Sequence, residues 1–233
     1  MKKFAALLWK EEMAIFTSPI AYVVLAVFLL IMGYTFTLTL FVTHAPTLVH
    51  IFFQIYVLLL LTVPITTMRL VAEERRLRTI ELLLAAPVSE IAVVFAKYLA
   101  SLSLVVVMLA LSGAFALALA VFGHPDWGPV WSGYAGLFLL GAALVAVGLF
   151  TSSLVSNQVV AALLSLSLFL LLWIIDHFGW LLPDPFDAFV VNLSLLVHFH
   201  PFATGSLFLS DAGYFIGAAL LGLFLSVRAL ARR

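Results

Sequence analysis

The chain contains no cysteine, and only 9% of its 233 residues carry a formal charge. Without cysteine there is no disulfide framework and no Cys-ligated zinc or iron–sulfur centre. No G-x-x-x-x-G-K-[ST] stretch occurs, and the four lysines stand at 2, 3, 10 and 97. Nucleotide chemistry of that type therefore lacks its residues, and the absence of H-E-x-x-H removes the metalloprotease helix as well. An intramembrane serine protease needs Ser and His at matching depth, whereas the histidines fall near the ends of apolar runs. The chain reads as a protein that is not an enzyme.

Apolar residues are abundant instead. They make up 65% of the sequence, against roughly 45–50% in soluble domains, and this length accommodates about six spans of ~20 residues with little left over. The expected class is an all-α integral membrane protein with a single transmembrane domain over 1–233. No Asp, Glu, Lys or Arg occurs from Met13 to Met68, and THAPTLVH divides that run. Spans are expected at about 20–42, 51–68, 98–122, 132–153, 159–176 and 212–228. FGHPDWGP supplies turn signals after the third span, and the fourth and fifth are separated by an inner turn at Ser156 to Gln158. Residues 3–17 form a weakly amphipathic stretch with Phe4, Leu8 and Ile15 on one face and Glu12 intruding. A helix lying on the membrane surface is expected there, with a solvated lead-in as the alternative.

All eleven Lys and Arg lie at 2–10, 69–97 and 228–233, and none occurs from Tyr98 to Val227. Cytoplasmic flanks of membrane spans collect Lys and Arg. Both termini and the Arg69 to Lys97 segment are therefore expected inside, in a bacterial cytoplasmic (inner) membrane. Leu70 to Glu90 alone holds seven charged residues. A charge at the bilayer centre costs about 2.5–3.5 kcal/mol even on lenient scales, so this segment should project into water. Its Glu74 and Arg78 are spaced as a helical ion pair. Ile80, Leu82, Leu83, Leu84 and Val88 beside the charges give apolar anchors with a polar rim, as a docking surface requires.

Pro64 should kink the second span, with Thr62, Thr66 and Thr67 available to the freed backbone groups. Ala114 with Ala118, and Ala142 with Ala146, permit close helix contact. In the outer segment Phe189, Val190, Leu193, Leu196 and Val197 repeat at helical spacing after Asp187, read as an N-cap. A second short helix is expected after Pro201. His198 and His200 with the nearby aspartates raise a metal site, but residues two apart do not share a helix face, and wetted interfacial residues are the preferred reading: no metal is expected.

SPIAYVVLAVFLL from Ser18, PITTMRLVAEERRLRTIELLLAAPVSE from Pro64 and HFHPFATGSLFLSDAGYF from His198 resemble the permease subunits of ABC-2 type transporters. Among these the resemblance points to the branch that contains the gliding-motility and nitrous-oxide-reductase maturation permeases. It implies a coupling helix between spans two and three that sits in a cleft of a separate ATP-binding cassette ATPase. Carried onto this chain, that role falls on Glu73, Glu74, Arg75, Arg76, Thr79, Glu81, Leu82, Leu83, Pro87 and Val88. The family pattern has glycine where Arg78 stands, so a less sharp turn is expected there. The resemblance further implies a dimer with a second permease copy or paralogue, no cofactor in this chain, ATP and Mg held by the ATPase, and no nucleic acid. It also places short outer helices between spans five and six. Asp187, His198 and His200 would then form an outer cap, facing cargo or an extracytoplasmic auxiliary protein. The rival readings are a self-sufficient channel or ion-coupled carrier, which would place ionisable groups within its spans, and a membrane scaffold.

Overall fold

We describe residues 2–43, 48–79, 88–122, 126–181, 183 and 186–231 of a computed structural model. The described residues are helical with short connections. The helices are α1 (Lys2–Phe16), α2 (Pro19–Thr43), α3 (Val49–Thr67), α4 (Ala72–Arg76), α5 (Glu90–Phe122), α6 (Trp127–Leu154) and α7 (Gln158–Ile174). A 3-10 segment, Ile175–Leu181, leads to α8 (Phe186–Val191), α9 (Leu195–Thr204) and α10 (Leu209–Ala231). Six of the helical stretches are long and apolar enough to cross a membrane.

Side-chain caps fix several boundaries. Asp126 Oδ1 accepts from Gly128 N–H at 3.0 Å to start α6, and Asn157 Oδ1 accepts from Val159 N–H at 2.9 Å to start α7. Each carboxylate or amide oxygen takes an N–H that the helix itself leaves without an acceptor. Gly205, at φ 97°, closes α9, and Ser206 N–H returns to Pro201 O at 2.9 Å, a left-handed helix end.

Three elements depart from the sequence reading. The third span begins at Glu90 and not near Tyr98, with the Ser89 hydroxyl accepting from Ala92 N–H at 3.3 Å. At 33 residues it measures about 50 Å at 1.5 Å per residue, longer than the ~30 Å hydrocarbon layer. The outer helix expected from Asp187 through Val197 is broken at 192–194 into α8 and α9, and Asp187 lies in the first turn of α8 instead of capping it. Pro201 lies inside α9 and does not precede a new helix.

The six spanning segments are not equivalent. The α6 window is 72% buried, whereas those of α2 and α7 are 17% buried, so α6 is the axis and the other two are peripheral. α6 packs on α3, α5, α7, α9 and α10. Since lipid tails are as apolar as side chains, such contacts are held by close packing and not by exclusion of water. Gly222 of α10 lies against the Ala146 backbone, and a Cβ there would stand 2.8 Å from the Ala146 carbonyl carbon. Ala142 and Ala146 are both buried, as their spacing suggests, and Gly222 on α10 is the small residue that faces Ala146. Phe28, Phe52, Tyr56, Phe169, Phe199 and Phe215 fill the spaces between helices.

Gly222→Val should destabilise the bundle by about 1–3 kcal/mol, because the backbone it meets cannot move aside as a side chain would. Gly217→Ala, where nothing lies within 4 Å of the added carbon, should leave the melting temperature of the detergent-solubilised protein unchanged or slightly raised. Equal melting temperatures for both variants would contradict the close α6–α10 approach.

Candidate functional site

The polar segment after the second span starts from a corner between α3 and α4. α3 runs through Pro64 without ending, and Met68 N–H continues the ladder to Pro64 O at 3.0 Å. Thr62 donates to Leu58 O, and Thr66 and Thr67 donate to Val63 O, at 2.7, 2.9 and 2.9 Å. None of these reaches the Leu60 carbonyl, which a proline four residues on leaves without its helical donor. Ser152 of α6, fully buried, holds the corner itself. Its hydroxyl accepts from Val71 and Ala72 N–H, each at 3.2 Å, and donates to Met68 O at 3.0 Å. The TSS of residues 151–153 is not among the residues that the sequence motifs single out. The faint signal was a run of hydroxyls inside an apolar helix.

Past the corner, α4 is fastened on three sides. Lys97 of α5 is only 2% exposed, and its Nζ lies 2.8 Å from Glu74 Oε1 and 3.0 Å from Glu11 Oε2. Lys10 adds a second cation, 3.3 Å from Glu11 and 3.7 Å from Glu74. Two ammonium groups and two carboxylates thus form a locally neutral cluster joining α1, α4 and α5. Arg69 Nε pairs with Glu73 at 2.9 Å while its Nη1 donates to Ser18 Oγ at 2.8 Å. Arg75 donates to the Ala229 carbonyl at 3.2 Å, a favourable place for a cation because helix C-terminal carbonyls carry partial negative charge.

These contacts revise the expected site. Glu74 pairs with Lys97 and not with Arg78, and Glu73 and Glu74 turn inward where solvent-facing carboxylates were expected. On α1 the acid on the packed face is Glu11, beside Leu7, not Glu12. That face, with Phe4, Leu8 and Ile15, packs into the bundle core, while Trp9 and Met13 remain exposed. A carboxylate on a packed face is tolerable only when paired, and its partner is 86 residues away. Arg76, Leu77, Arg78 and Thr79 form the exposed tip. Arg78 has φ 56°, the left-handed conformation that glycine adopts freely. The turn is therefore as sharp as a glycine would make it. Val88 is half-buried and lines a groove with Glu90, Val227 and Arg228. Glu81, Leu82, Leu83 and Pro87 lie outside the described residues.

A cleft of about 250 Å³ opens between α1 and the α3–α4 corner, with Ile15, Ile65 and Leu70 as apolar wall and Arg69, Glu73 and Lys97 as polar wall. A second groove lies between Arg75 and the 154–157 turn. The charged tip, the grooves, α1 and the last turn of α10 thus share one end of the bundle. Asp211 stands at the other end of α10 from Ala229, about 27 Å away at 1.5 Å per residue.

A family model described as ABC-2 family transporter protein matches residues 43–227. The chain belongs to the ABC-2 transporter family. No curated protein matches it. As an ABC-2 permease it is a multi-pass membrane transport component and not itself catalytic, and permeases of this family typically work with an ATPase subunit. The match begins after most of α2, so Glu11 lies outside it while Glu74 and Lys97 lie within.

At the far end of the permease the three residues assigned to an outer cap lie on two helices, Asp187 on α8 and His198 and His200 on α9. His198 bonds Asp211 and the Asn192 carbonyl. His200 is exposed with its ring 5.7 Å from Phe53, and Asp187 sits on α8. Among the described residues no group of three His, Asp or Glu is arranged to hold a metal ion.

Lys97→Met should destabilise the permease by about 3 kcal/mol, since it leaves buried Glu11 and half-buried Glu74 with only the exposed Lys10 as cation. Adding Glu11→Gln and Glu74→Gln should recover most of that loss in denaturant titrations, and no recovery would mean that the charges are not mutually compensated. Arg78→Gly should tighten hydrogen-exchange protection over 72–79, because a left-handed conformation costs an L-residue about 1–2 kcal/mol. Lower protection would show that the arginine side chain outweighs its backbone.

Proposed function

We propose that this ABC-2 permease is one half of a membrane dimer driven by a separate ATP-binding cassette subunit, which docks on the charged end. ATP and Mg belong to that partner and none of the chemistry to this chain. Closure of the cassettes would press on the tip at 76–79 and on the segment that follows it. The observation that carries this reading is the Lys97 cluster. A force can pass from a docking loop into spans only through an element fixed to both, and Glu74 ties α4 to α5 and, through Lys97 and Glu11, to α1.

Orientation follows from charge. The described lysines and arginines belong to the end that holds α1, α4, the start of α5 and the end of α10, and the Lys and Arg bias of the sequence favours the cytoplasm for that end, with the bacterial inner membrane as location. The quoted motifs favour the branch of gliding-motility and nitrous-oxide-reductase maturation permeases. The outcome is export or conformational signalling to an extracytoplasmic auxiliary protein, and 186–204 is the surface available to either. The exposed apolar faces of α2 and α7 are where lipid or a second permease copy would be met.

Arg76→Glu with Leu77→Asp alters two exposed tip residues and none of the cluster. Recovery of an ATP-binding cassette subunit with the tagged permease from native membranes should fall about thirtyfold, the equivalent of a ~2 kcal/mol hot spot, at unchanged permease stability. Undiminished recovery would remove the tip from the docking surface.

A further inference from the structure

Residues 192–194, which break the outer segment into α8 and α9, are each held by a different contact. The Asn192 carbonyl meets His198 Nε2 at 3.0 Å, the Leu193 carbonyl accepts from Tyr214 Oη at 2.7 Å, and Ser194 Oγ donates to Asp176 Oδ1 at 3.2 Å. Ser194 also caps α9 through Leu196 N–H at 3.2 Å. The His198 ring stacks on Tyr214 with centroids 4.1 Å apart, and its Nδ1 lies 2.8 Å from Asp211 Oδ1. One imidazole therefore bridges the turn, α9 and α10.

The proton count of this bridge follows from its acceptors. A backbone carbonyl only accepts, so Nε2 must carry hydrogen. Nδ1 faces a carboxylate oxygen, and that contact is a hydrogen bond only if a proton lies between the two atoms. The pair is then imidazolium with carboxylate, or neutral imidazole with carboxylic acid. Both forms hold one proton more than a neutral histidine beside an ionised aspartate. When that proton leaves, a nitrogen lone pair must face one of the two acceptors and a bond is lost.

We propose that His198 and Asp211 form a proton-dependent clamp, which fastens α9 and the 192–194 turn to α10 when the extra proton is bound and releases them when it leaves. The titratable groups around the clamp are Asp211 and Tyr214 on α10, Asp176 with His177 beside it on the 3-10 segment, and Tyr56 of α3, which stacks on Phe199. His200 shares α9 but turns to Phe53. His177 is a second imidazole in the same region and lies 3.4 Å from Asp176, so it needs its own control. The sign is set by the proton count: the clamp is shut at low pH and loosens as pH rises. Such a device would let the extracytoplasmic face of the permease respond to proton concentration without any ionisable relay through the spans.

Hydrogen exchange of the full-length permease in lipid nanodiscs, read on peptides covering 192–204 and normalised for intrinsic exchange, tests the clamp. Between about pH 5 and 8, where histidine changes charge, protection should fall about tenfold, the effect of losing one charge-assisted hydrogen bond. Asp211→Asn should keep the clamp shut at every pH, since its amide can donate to Nδ1 of a neutral imidazole while Nε2–H stays on Asn192. His177→Gln should retain the pH step, and it decides the matter with the parent protein if Asp211→Asn does not fold. A parent protein without a pH step, an unchanged step in Asp211→Asn, or its loss in His177→Gln would each overturn the proposal.

Discussion

One buried ammonium group organises the charged end of this permease. Lys97 stands in a helix whose neighbours on the same face are Val93, Val94, Ala100 and Ser101, all buried. In such surroundings an unpaired charge is costly, and Glu11 and Glu74 must both come to it. Glu11 brings α1, whose apolar face with Leu7, Leu8 and Ile15 packs on the core beside it. Glu74 brings α4, five residues long and too short to be stable alone. The helices at this end are placed by where a charge must be neutralised.

The rest of the bundle obeys a different constraint, which is room. α6 is surrounded on nearly all sides, so its surface has to be small where neighbours come close and open where they bring bulk. Gly133 and Gly136 accept the rings of Phe52 and Phe202, and Gly148 accepts Thr67. Gly222 lets α10 approach the α6 backbone directly. Near the charged end α6 changes character: Thr151 bonds Ser165 of α7 and Ser152 holds the α3–α4 corner. Ser152 therefore joins the packed axis to the corner from which α4 starts.

The two ends are built from the same kind of contact used differently. At the charged end a lysine with two carboxylates and a second lysine gives a neutral set, suited to stiffness. At the far end a single histidine spans two acceptors, and its integrity depends on one exchangeable proton. Arg78 shows a third situation, a backbone shape kept with an unfavourable residue. The left-handed turn after α4 persists without glycine because Leu77 N–H bonds Glu73 O at 2.9 Å and Arg78 N–H bonds Arg75 O at 3.2 Å, closing the helix end.

Hydropathy alone determined the class of this protein and the number of spans, because the length of an apolar run is a local property and the membrane makes it decisive. The family was legible too, carried by the residues around the charged segment. What tertiary structure decided were the partners of the charges and the true ends of two elements. The sequence suggests Glu74 with Arg78 because they are four apart. The fold instead gives Glu74 to Lys97, since burial makes a distant neutralising partner worth more than a near, solvated one. The same holds for Glu11 over Glu12, for the extra turns at Glu90 to Lys97, and for the break at 192–194, where helical spacing promised continuity and two long-range hydrogen bonds with a third to His198 impose a corner. Local pattern fixes which residues prefer lipid, and only the packed bundle fixes which polar group meets which.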